Sequence, residues 1–251
     1  MEKRVLITGS NGFIATNLRK LYPNADGLDK PQDICDKLPD VEYDQIFHLA
    51  AKHHIPTCEK EAEECIRVNC WGTINLLKTY PNARILVAGS SSSNEIKSVY
   101  GASKAFLELL TKLHKNYLVV KFYNVFGEHQ RLEGGAATPK FIHHMLTKTP
   151  LSVNGDGTQF RDFTYVGDVV NNLKELMESD INGITHLGHG EPIMLNHYIE
   201  LIYGYMPDVT YTDPNPIDIL WSKAPTPCKK FFGREEGMRR TIEWFKKEYN
   251  L

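Results

Sequence analysis

Short apolar runs alternate with longer segments of helical periodicity along the first half of the chain. Each apolar run ends at a glycine or a polar cluster, which is typical of a buried parallel strand. The pattern predicts strands at residues 4–8, 27–29, 45–49, 84–88 and 118–122. It predicts helices at residues 12–21, 59–80 and 99–115. This alternation predicts an α/β fold with a Rossmann-like, doubly wound parallel sheet.

After residue 124 the alternation loosens, and glycine, proline and charged residues become more common. Helical periodicity returns at residues 168–179, 194–205 and 235–249, whereas the proline-rich stretch 207–227 is predicted to be irregular. We therefore expect a small, discontinuous C-terminal substrate lobe. The predicted division is a Rossmann domain at 1–123, to which 164–186 returns, and a substrate-binding lobe at 124–163 and 187–251.

Composition and charge fit an ordinary globular protein. The chain has 251 residues, a formal net charge of −2 and 41% hydrophobic residues. A charge this close to zero gives no reason to expect nucleic acid or a membrane surface as a partner. No apolar run approaches membrane-spanning length, and the first residues lead directly into a strand, so we expect no signal peptide.

The cysteines and histidines favour a reduced protein without metal. The number of cysteines is odd, at five, and no two of them have CxxC spacing. This predicts free thiols and a cytoplasmic location, rather than disulfides or structural zinc. The paired histidines at 53–54 and 143–144 are adjacent, so their side chains point in different directions and make poor joint ligands. We expect no metal site.

A glycine turn follows the first predicted strand. Gly9 allows the chain to turn sharply, and Gly12 opens a helix whose free N–H groups favour phosphate. Asn11 lies between them, and Asp29 ends the second strand, where an acid accepts both hydroxyls of a ribose. A carboxylate there repels a 2′-phosphate, so we predict NAD rather than NADP as the cofactor. The alternative is that 29–31 is only a turn.

Tyr100 and Lys104 are one helical turn apart and share a helix face. A nearby ammonium and a positively charged nicotinamide both favour phenolate, so Tyr100 is a candidate base. The four serines at 90–93 follow a strand of the same sheet, and a hydroxyl of Ser90 or Ser91 can hold a substrate alcohol. The alternatives are a surface pair on the helix and a flexible polar loop.

Further motifs carry a family resemblance: His48-Leu49-Ala50-Ala51, Asn69-Cys70-Trp71-Gly72-Thr73, Phe122-Tyr123-Asn124-Val125-Phe126-Gly127 and the segment from Gly155 to Phe163. Together with the glycine turn and the Tyr-Lys pair, they make the chain similar to the extended short-chain dehydrogenases/reductases, in the NAD-dependent nucleotide-sugar epimerase/dehydratase family. Within this family the chain resembles UDP-glucose/UDP-galactose 4-epimerases, although it is unusually compact.

The resemblance implies roles for individual residues. It places Phe13 and Ile14 beside the cofactor pyrophosphate, and Asp33 and Ile34 beside adenine. Lys104 is also expected on the cofactor ribose, Tyr123 and Val125 near nicotinamide, and Leu49, Ala50, Ala51 and Asn69 in the remainder of the NAD site. Asn124 and Arg161 are expected to bind the diphosphate of a nucleotide-sugar. A planar cation suits that last task. Arg234 is a candidate second cation by position alone. The resemblance also implies a homodimer formed through helices, to which Phe106, Leu107, Leu109, Leu110 and Leu113 offer an apolar side.

Departures from the family pattern reduce the number of reactions that fit this chain. Dehydratases of the family place an Asp-Glu pair directly after the active hydroxyl, where this chain has Ser92 and Ser93. The run typical of decarboxylases is not visible. We therefore predict a 4-epimerase that acts on a UDP-sugar through a transient 4-keto sugar, with Tyr100 as base. A decarboxylase, a dehydratase, a 4-ketoreductase and a non-catalytic dinucleotide-binding sensor remain the alternatives.

Overall fold

The computed structural model describes residues 3–215 and 217–251, which divide into two compact units. The first comprises residues through Phe122 together with Asn172–His186. The second comprises Tyr123–Asn171 and Leu187–Leu251. The sequence pattern assigns 164–171 to the first domain, whereas the structure groups these residues with the second unit.

The elements of the described residues are numbered in chain order. The strands are Val5–Thr8 (β1), Asp26–Leu28 (β2), Gln45–His48 (β3), Arg84–Ser90 (β4), Tyr117–Phe122 (β5), Asn124–Phe126 (β6), Leu151–Asn154 (β7), Phe160–Arg161 (β8), Phe163–Tyr165 (β9), Gly183–Leu187 (β10), Ile193–Met194 (β11) and Val209–Thr212 (β12). The α-helices are Phe13–Leu18 (α1), Ile55–Lys60 (α2), Ala62–Ile66 (α3), Gly72–Thr79 (α4), Val99–Thr111 (α5), Ala137–Thr147 (α6), Val166–Glu178 (α7), Leu195–Tyr203 (α8) and Arg234–Tyr249 (α9).

The first unit is built on a six-stranded sheet with the order β10-β5-β4-β3-β1-β2. Strands β2, β1, β3, β4 and β5 pair in parallel. The chain moves outwards from β1 to β2 and then crosses to β3 on the other side of β1. Ligands of open α/β sheets bind at such a switch point, outside the carboxyl ends of the strands. The predicted Rossmann-like α/β fold is confirmed.

Continuous burial explains why the strand sequences lack alternation. Every residue of β1 and β3 is buried, as are all but the first of β4 and β5. A parallel sheet covered on both faces needs apolar side chains on both faces of each strand. The core of this unit joins Leu6, Ile46, Ile85, Val119 and helix residues such as Leu76 and Leu107.

The helix predicted over 59–80 is interrupted in the structure. Helix α2 ends at Lys60, and α3 begins only after Glu61, whose backbone (φ −120°, ψ 52°) leaves the helical region. A π-helical turn, Arg67–Trp71, then separates α3 from α4. Apolar periodicity does not reveal such breaks, because a single residue of altered backbone geometry leaves the spacing of the buried positions nearly unchanged.

The second unit contains three two-stranded sheets. Strand β6 pairs with β9 and β7 with β12, both in parallel, and β8 pairs with β11 antiparallel. The prediction of an irregular 207–227 was therefore wrong at β12. The prolines at 207 and 214 flank this strand rather than interrupt it, so its N–H groups remain available for pairing.

Buried aromatic and acidic side chains hold the second unit together. Tyr198 is fully buried, and its ring stacks on Phe163 with centroids 3.5 Å apart. The wholly buried Asp162 accepts hydrogen bonds from the backbone N–H groups of His189, Gly190 and Ala224. This carboxylate thereby joins its own segment to two others, one containing His189 and Gly190 and one containing Ala224.

No helix within residues 3–215 and 217–251 combines the length and the hydrophobicity that a membrane span requires.

Arg84, at the start of β4, fastens the returning segment Asn172–His186 to the sheet. Its guanidinium donates to the carbonyls of Leu176, Met177 and Ile181 and to the side chains of Asn116 and Asn182, at 2.6–3.2 Å. Arg84→Met should lower the free energy of unfolding by about 2–3 kcal/mol, because it leaves several half-buried carbonyls without a donor.

Chemical denaturation followed by circular dichroism checks this prediction. Arg239→Met is the matched control, since Arg239 is an exposed residue of α9 that pairs only with glutamates on its own helix. A loss of stability no greater for Arg84→Met than for this control would contradict the assigned role.

Candidate functional site

The glycine turn after β1 has the geometry expected of a phosphate cradle. Gly9 has φ +65°, and a Cβ atom there would lie 2.8 Å from the Cα and N atoms of Ala50. The Gly12 N–H donates to the Gly9 carbonyl at 2.9 Å, and α1 begins at Phe13 without a side-chain cap. Asn11 is exposed and Ile14 is half-buried. The turn therefore leaves backbone, not side chains, at the carboxyl end of β1.

Asp29 lies beside this turn. Its Oδ2 accepts a hydrogen bond from the Asn11 N–H at 2.8 Å, and its Oδ1 accepts one from the Lys30 N–H at 2.8 Å. The acid that ends β2 is thus held next to the cradle, where a ribose would meet it. A turn with glycine at both ends and an adjacent carboxylate fits an adenosine ribose and pyrophosphate, so the residues present fit a dinucleotide.

Asp33 and Ile34 have different environments. The Arg67 guanidinium donates to Asp33 at 2.5 Å, and this hydrogen bond, with one from the Cys35 N–H, holds the pKa of Asp33 below its usual range. The side chain of Ile34 is 4% exposed and packs against Gly72 in the core. Only the backbone of Ile34 is left to line a cofactor site.

The segment after β3 contributes Leu49, Ala50 and Ala51, all half-buried. His48 fixes their position: its ring nitrogens contact the hydroxyls of Thr8 at 2.8 Å and Thr73 at 3.1 Å. Burial lowers the pKa of His48 to about 3, so the ring is neutral and its two nitrogens serve one as donor and one as acceptor. This histidine joins β1, β3 and α4.

Asn69 is expected in the cofactor site, but its side-chain amide forms hydrogen bonds to other groups of the protein. Its Oδ1 accepts from the Lys52 N–H at 2.8 Å, and its Nδ2 donates to the Lys52 carbonyl and to the Ser103 hydroxyl at 3.0 and 2.9 Å. The residue is 1% exposed and lies in the π-helical turn. Asn69 therefore connects the segment after β3 to helix α5.

Helix α5 places Tyr100 and Lys104 together at the carboxyl edge of the sheet. Ser98 caps the helix by accepting from the Gly101 N–H at 3.0 Å. The Lys104 ammonium lies 5.8 Å from the centre of the Tyr100 ring and donates to the Ala88 carbonyl at 2.8 Å. The predicted Tyr-Lys pair thus shares a face, and Lys104 is almost completely buried.

Burial moves the pKa values of this pair in opposite directions. It raises the pKa of Tyr100 to about 12, although a hydrogen bond with Ser90 acts to lower it. It lowers the pKa of Lys104 to about 8. The expectation that protein charge favours phenolate is not met by the protein groups alone, because the cost of burying the anion exceeds the effect of its neighbours.

The structure gives Ser90 and Ser91 different surroundings at the end of β4. Ser90, the last residue of β4, is 8% exposed and bonds to Tyr100, and its Oγ accepts from the Ser92 N–H at 3.1 Å. Ser91 begins a short 3₁₀ turn, Ser91–Ser93. The geometry therefore associates Ser90, rather than Ser91, with the phenol.

The expected substrate residues Asn124 and Arg161 lie in the second unit, as do Tyr123 and Val125, which were expected near nicotinamide. Tyr123 is buried, Val125 is half-buried, and the Asn124 N–H donates to the Asp162 carbonyl at 3.0 Å. Arg161 does not pair with Asp162: its guanidinium donates to Asp218 at 2.5 Å and to the Phe160 carbonyl at 2.9 Å. Arg161 is thus already held by a carboxylate.

Arg234, the candidate by position, is 6% exposed. Its guanidinium donates to the carbonyls of Phe163 and Glu191. Both bonds are to backbone within the second unit, which indicates a structural role.

Three features escaped sequence reasoning: the Arg67 clamp on Asp33, the His48 junction and an ion pair between Lys121 and Glu108. Each joins residues that are far apart in the sequence. For His48, Lys121 and Glu108 the sequence signal was a polar residue within an apolar strand or helix pattern, whereas the part-exposed Arg67 and Asp33 gave no such signal. Among the described residues, no group of three or more histidine, cysteine or acidic side chains is arranged to hold a metal ion.

Known proteins resemble this chain along nearly its whole length. The sequence model of the NAD dependent epimerase/dehydratase family matches residues 24–188. A putative UDP-glucose 4-epimerase from Methanocaldococcus jannaschii is 29% identical, over 96% of this chain and 88% of that protein. UDP-glucuronic acid decarboxylase 1 from Danio rerio is 26% identical, over 98% of this chain and 73% of that protein.

The fold is shared as well. The solved UDP-N-acetylglucosamine 4-epimerase from Methanobrevibacter ruminantium M1, in complex with UDP-N-acetylmuramic acid, superposes with a TM-score of 0.86 at 26% identity, covering 98% of this chain and 99% of that one. These similarities establish family, fold and NAD as the family's cofactor. They do not separate epimerases from decarboxylases.

Gly9→Ala should raise the dissociation constant of NAD at least ~10-fold and destabilise the fold, because the new Cβ meets the backbone of Ala50 at a positive φ. Fluorescence titration with NAD measures this effect. Gly134→Ala is the control, since nothing lies within 4 Å of its added Cβ. Unchanged affinity in the Gly9 variant would show that the turn is not the cradle.

Proposed function

The chain belongs to the NAD dependent epimerase/dehydratase family, and we propose that it is a nucleotide-sugar 4-epimerase acting on a UDP-sugar. The observation that carries this proposal is the Ser90–Tyr100–Lys104 arrangement, which has no acidic partner at the positions after Ser90. Besides bound NAD, epimerisation at C4 needs only a base, a hydroxyl that orients the alcohol and a cation.

Each member of this arrangement has a distinct task. Tyr100 removes the proton of the sugar 4-hydroxyl, and Ser90 orients that hydroxyl and stabilises the developing phenolate. Lys104 binds a ribose of the cofactor, and its positive charge favours phenolate. Bound NAD supplies the hydride acceptor and donor for C4. Because burial raises the pKa of Tyr100 to about 12 among protein groups alone, the phenolate depends on additional positive charge in the complex.

The second unit holds the nucleotide-sugar in this proposal. Arg161 and Asn124 bind the diphosphate, and the Arg161 guanidinium exchanges Asp218 for phosphate oxygens. An anchored diphosphate allows the 4-keto sugar to turn over without leaving, so that hydride returns to its other face. The M. jannaschii relative, a putative UDP-glucose 4-epimerase, supports this substrate class.

Two observations disfavour dehydration. Glu95, the nearest acid after the serines, pairs with Lys97 at 2.7 Å, and its side chain is 55% exposed. Ser93 bonds to the Ser90 carbonyl and to Glu108 instead of projecting as a second acid-base group. Decarboxylation is the second candidate, because UDP-glucuronic acid decarboxylases are among the chain's relatives at similar identity.

The five cysteines, which form no disulfide, support our placing the protein in the reducing cytoplasm.

Proton NMR of the anomeric region tests the proposed reaction. The purified protein with NAD is mixed with UDP-glucose, UDP-galactose, their N-acetyl forms and UDP-glucuronic acid. Interconversion at C4 supports epimerisation, whereas release of CO₂ from UDP-glucuronic acid would identify a decarboxylase. No turnover by folded, NAD-bound protein would favour a ketoreductase, a dehydratase or a dinucleotide-binding sensor.

Tyr100→Phe should lower kcat by about 10³-fold or more while leaving the affinity for NAD within about 2-fold, because only the base is removed. Tyr117→Phe is the matched control, since Tyr117 begins β5 at the opposite edge of the sheet. The same NMR assay gives both rates. A Tyr100 variant with the wild-type rate would rule out this mechanism.

We also propose a homodimer formed through helix α5. Phe106, Leu109 and Leu113 are 47%, 60% and 84% exposed and form one apolar stripe, whereas Leu107 is buried and Leu110 is half-buried. Leu109→Lys should therefore convert a dimer into a monomer in light scattering, because it puts a charge in the stripe. Leu220→Lys, which alters an exposed leucine of the second unit, is the control. A monomeric wild-type protein would contradict the proposal.

A further inference from the structure

A buried ion pair lies beneath the serines that follow β4. The Lys121 ammonium, near the end of β5, is 3.0 Å from Glu108 Oε2 on helix α5, and each side chain is 10% exposed. Glu108 is one helical turn beyond Lys104, on the same face. The proposed chemistry of Tyr100, Ser90 and Lys104 does not require this pair.

Both members of the pair contact the serine loop, which we define as residues 90–94. Lys121 Nζ donates to Asn94 Oδ1 at 2.7 Å. The Ser93 hydroxyl lies 2.5 Å from Glu108 Oε1 and 2.6 Å from the Ser90 carbonyl. The ion pair is therefore linked to Ser90 through Ser93, and to the end of the loop through Asn94.

The backbone of the serine loop packs closely on Gly101 of helix α5, but residues 90–94 include no apolar side chain. Residues 94–97 are exposed, and Ile96, their one apolar side chain, is 58% exposed. The loop therefore has no apolar anchor of its own between the end of β4 and the cap of α5. Its conformation depends on polar bonds to the buried groups below it, and buried polar groups with satisfied bonds select one geometry strongly.

Sheet register adds a direct connection. Lys121 is opposite Gly89, and Phe122 is opposite Ser90, in the β4–β5 pairing. The cation is thus one register position before Ser90 and reaches the loop from the neighbouring strand. A buried charge pair adds little net stability over apolar residues of similar volume, so stability alone does not account for this one.

We propose that Lys121 and Glu108 are positioning residues that hold Ser90 against Tyr100 by fixing Ser93 and Asn94. This inference rests on the proposed function, in which Ser90 orients the sugar hydroxyl. It predicts that the pair acts on catalysis only through the serine loop, not through cofactor affinity or substrate affinity.

Kinetics of the NAD-bound enzyme test whether the ion pair acts on catalysis through the serine loop. Lys121→Met should lower kcat about 10- to 100-fold with KM and the NAD dissociation constant changed less than about 3-fold, and Lys121→Arg should restore most of the rate because it keeps the cation. Lys112→Met is the control, since Lys112 is exposed just after α5. In a Ser90→Ala background Lys121→Met should have little further effect on kcat.

Two milder variants keep the test valid if Lys121→Met fails to fold. Ser93→Ala and Asn94→Ala cut the links to the loop but leave the ion pair intact. Each should lower kcat with little change in KM, and the double variant should approach the effect of Lys121→Met. Full additivity of Lys121→Met with Ser90→Ala, or wild-type kcat in the Ser93/Asn94 double variant, would overturn the proposal.

Hydrogen–deuterium exchange gives a readout that does not depend on turnover. The peptide covering 89–99 should exchange faster in Lys121→Met and in the Ser93/Asn94 double variant than in wild type or Lys112→Met. If no nucleotide-sugar is converted by the wild type, the proposed function fails while this exchange still decides whether the pair orders the loop. Unchanged exchange in all variants would overturn the positioning role.

Discussion

The close approach between the carboxyl ends of β1 and β3 is the constraint on which the cofactor half of the site depends. A Cβ atom at Gly9 would lie 2.8 Å from the backbone of Ala50, so only glycine permits this spacing. His48 maintains it through its contacts with Thr8 and Thr73. Because the ring is neutral, both of its nitrogens form ordinary hydrogen bonds, and no buried charge needs compensation.

Desolvation is the second organising force, and it acts on the chemistry rather than on the fold. It disfavours the phenolate of Tyr100 and the ammonium of Lys104 at the same time. In the proposed mechanism Tyr100 therefore stays protonated until further positive charge arrives, because phenolate is costly among these protein groups alone. The hydrogen bond between Ser90 and Tyr100 is the protein's own contribution against that cost, which is why the position of Ser90 matters.

Buried hydrogen bonds connect the neighbourhood of the glycine turn to the helix that carries Tyr100 and Lys104. Asn69, in the π-helical turn, connects the segment after β3 to Ser103 on the helix that carries Tyr100 and Lys104. π-Helical turns often occur at functional sites, since the extra residue redirects a side chain that regular helix would place elsewhere. The segment that packs against the glycine turn and helix α5 are therefore linked by hydrogen bonds within the first unit.

Local pattern was sufficient for the parallel strands of the first unit and for the order of motifs, but not for the breaks in the predicted helix 59–80 or for strand β12. Apolar runs predicted the parallel strands, because a sheet covered on both faces leaves a continuous signal in the sequence. The glycine turn, Asp29 and the Tyr-Lys pair were identifiable because their spacing along one strand, turn or helix is fixed by backbone geometry. The resemblance to the family, carried by those motifs, predicted the cofactor.

Tertiary structure decided what each polar side chain contacts. Nothing local distinguishes Ser90 from Ser91, or shows that Ile34 packs into the core and that Arg161 pairs with Asp218. The Lys121–Glu108 pair likewise joins a strand to a helix. The sequence by itself determined the parallel strands of the first unit, the helical face of Tyr100 and Lys104 and the family, since these depend on neighbours along the chain. Hydrogen-bond partners and pKa shifts depend on neighbours across space and on burial, which only the folded chain creates.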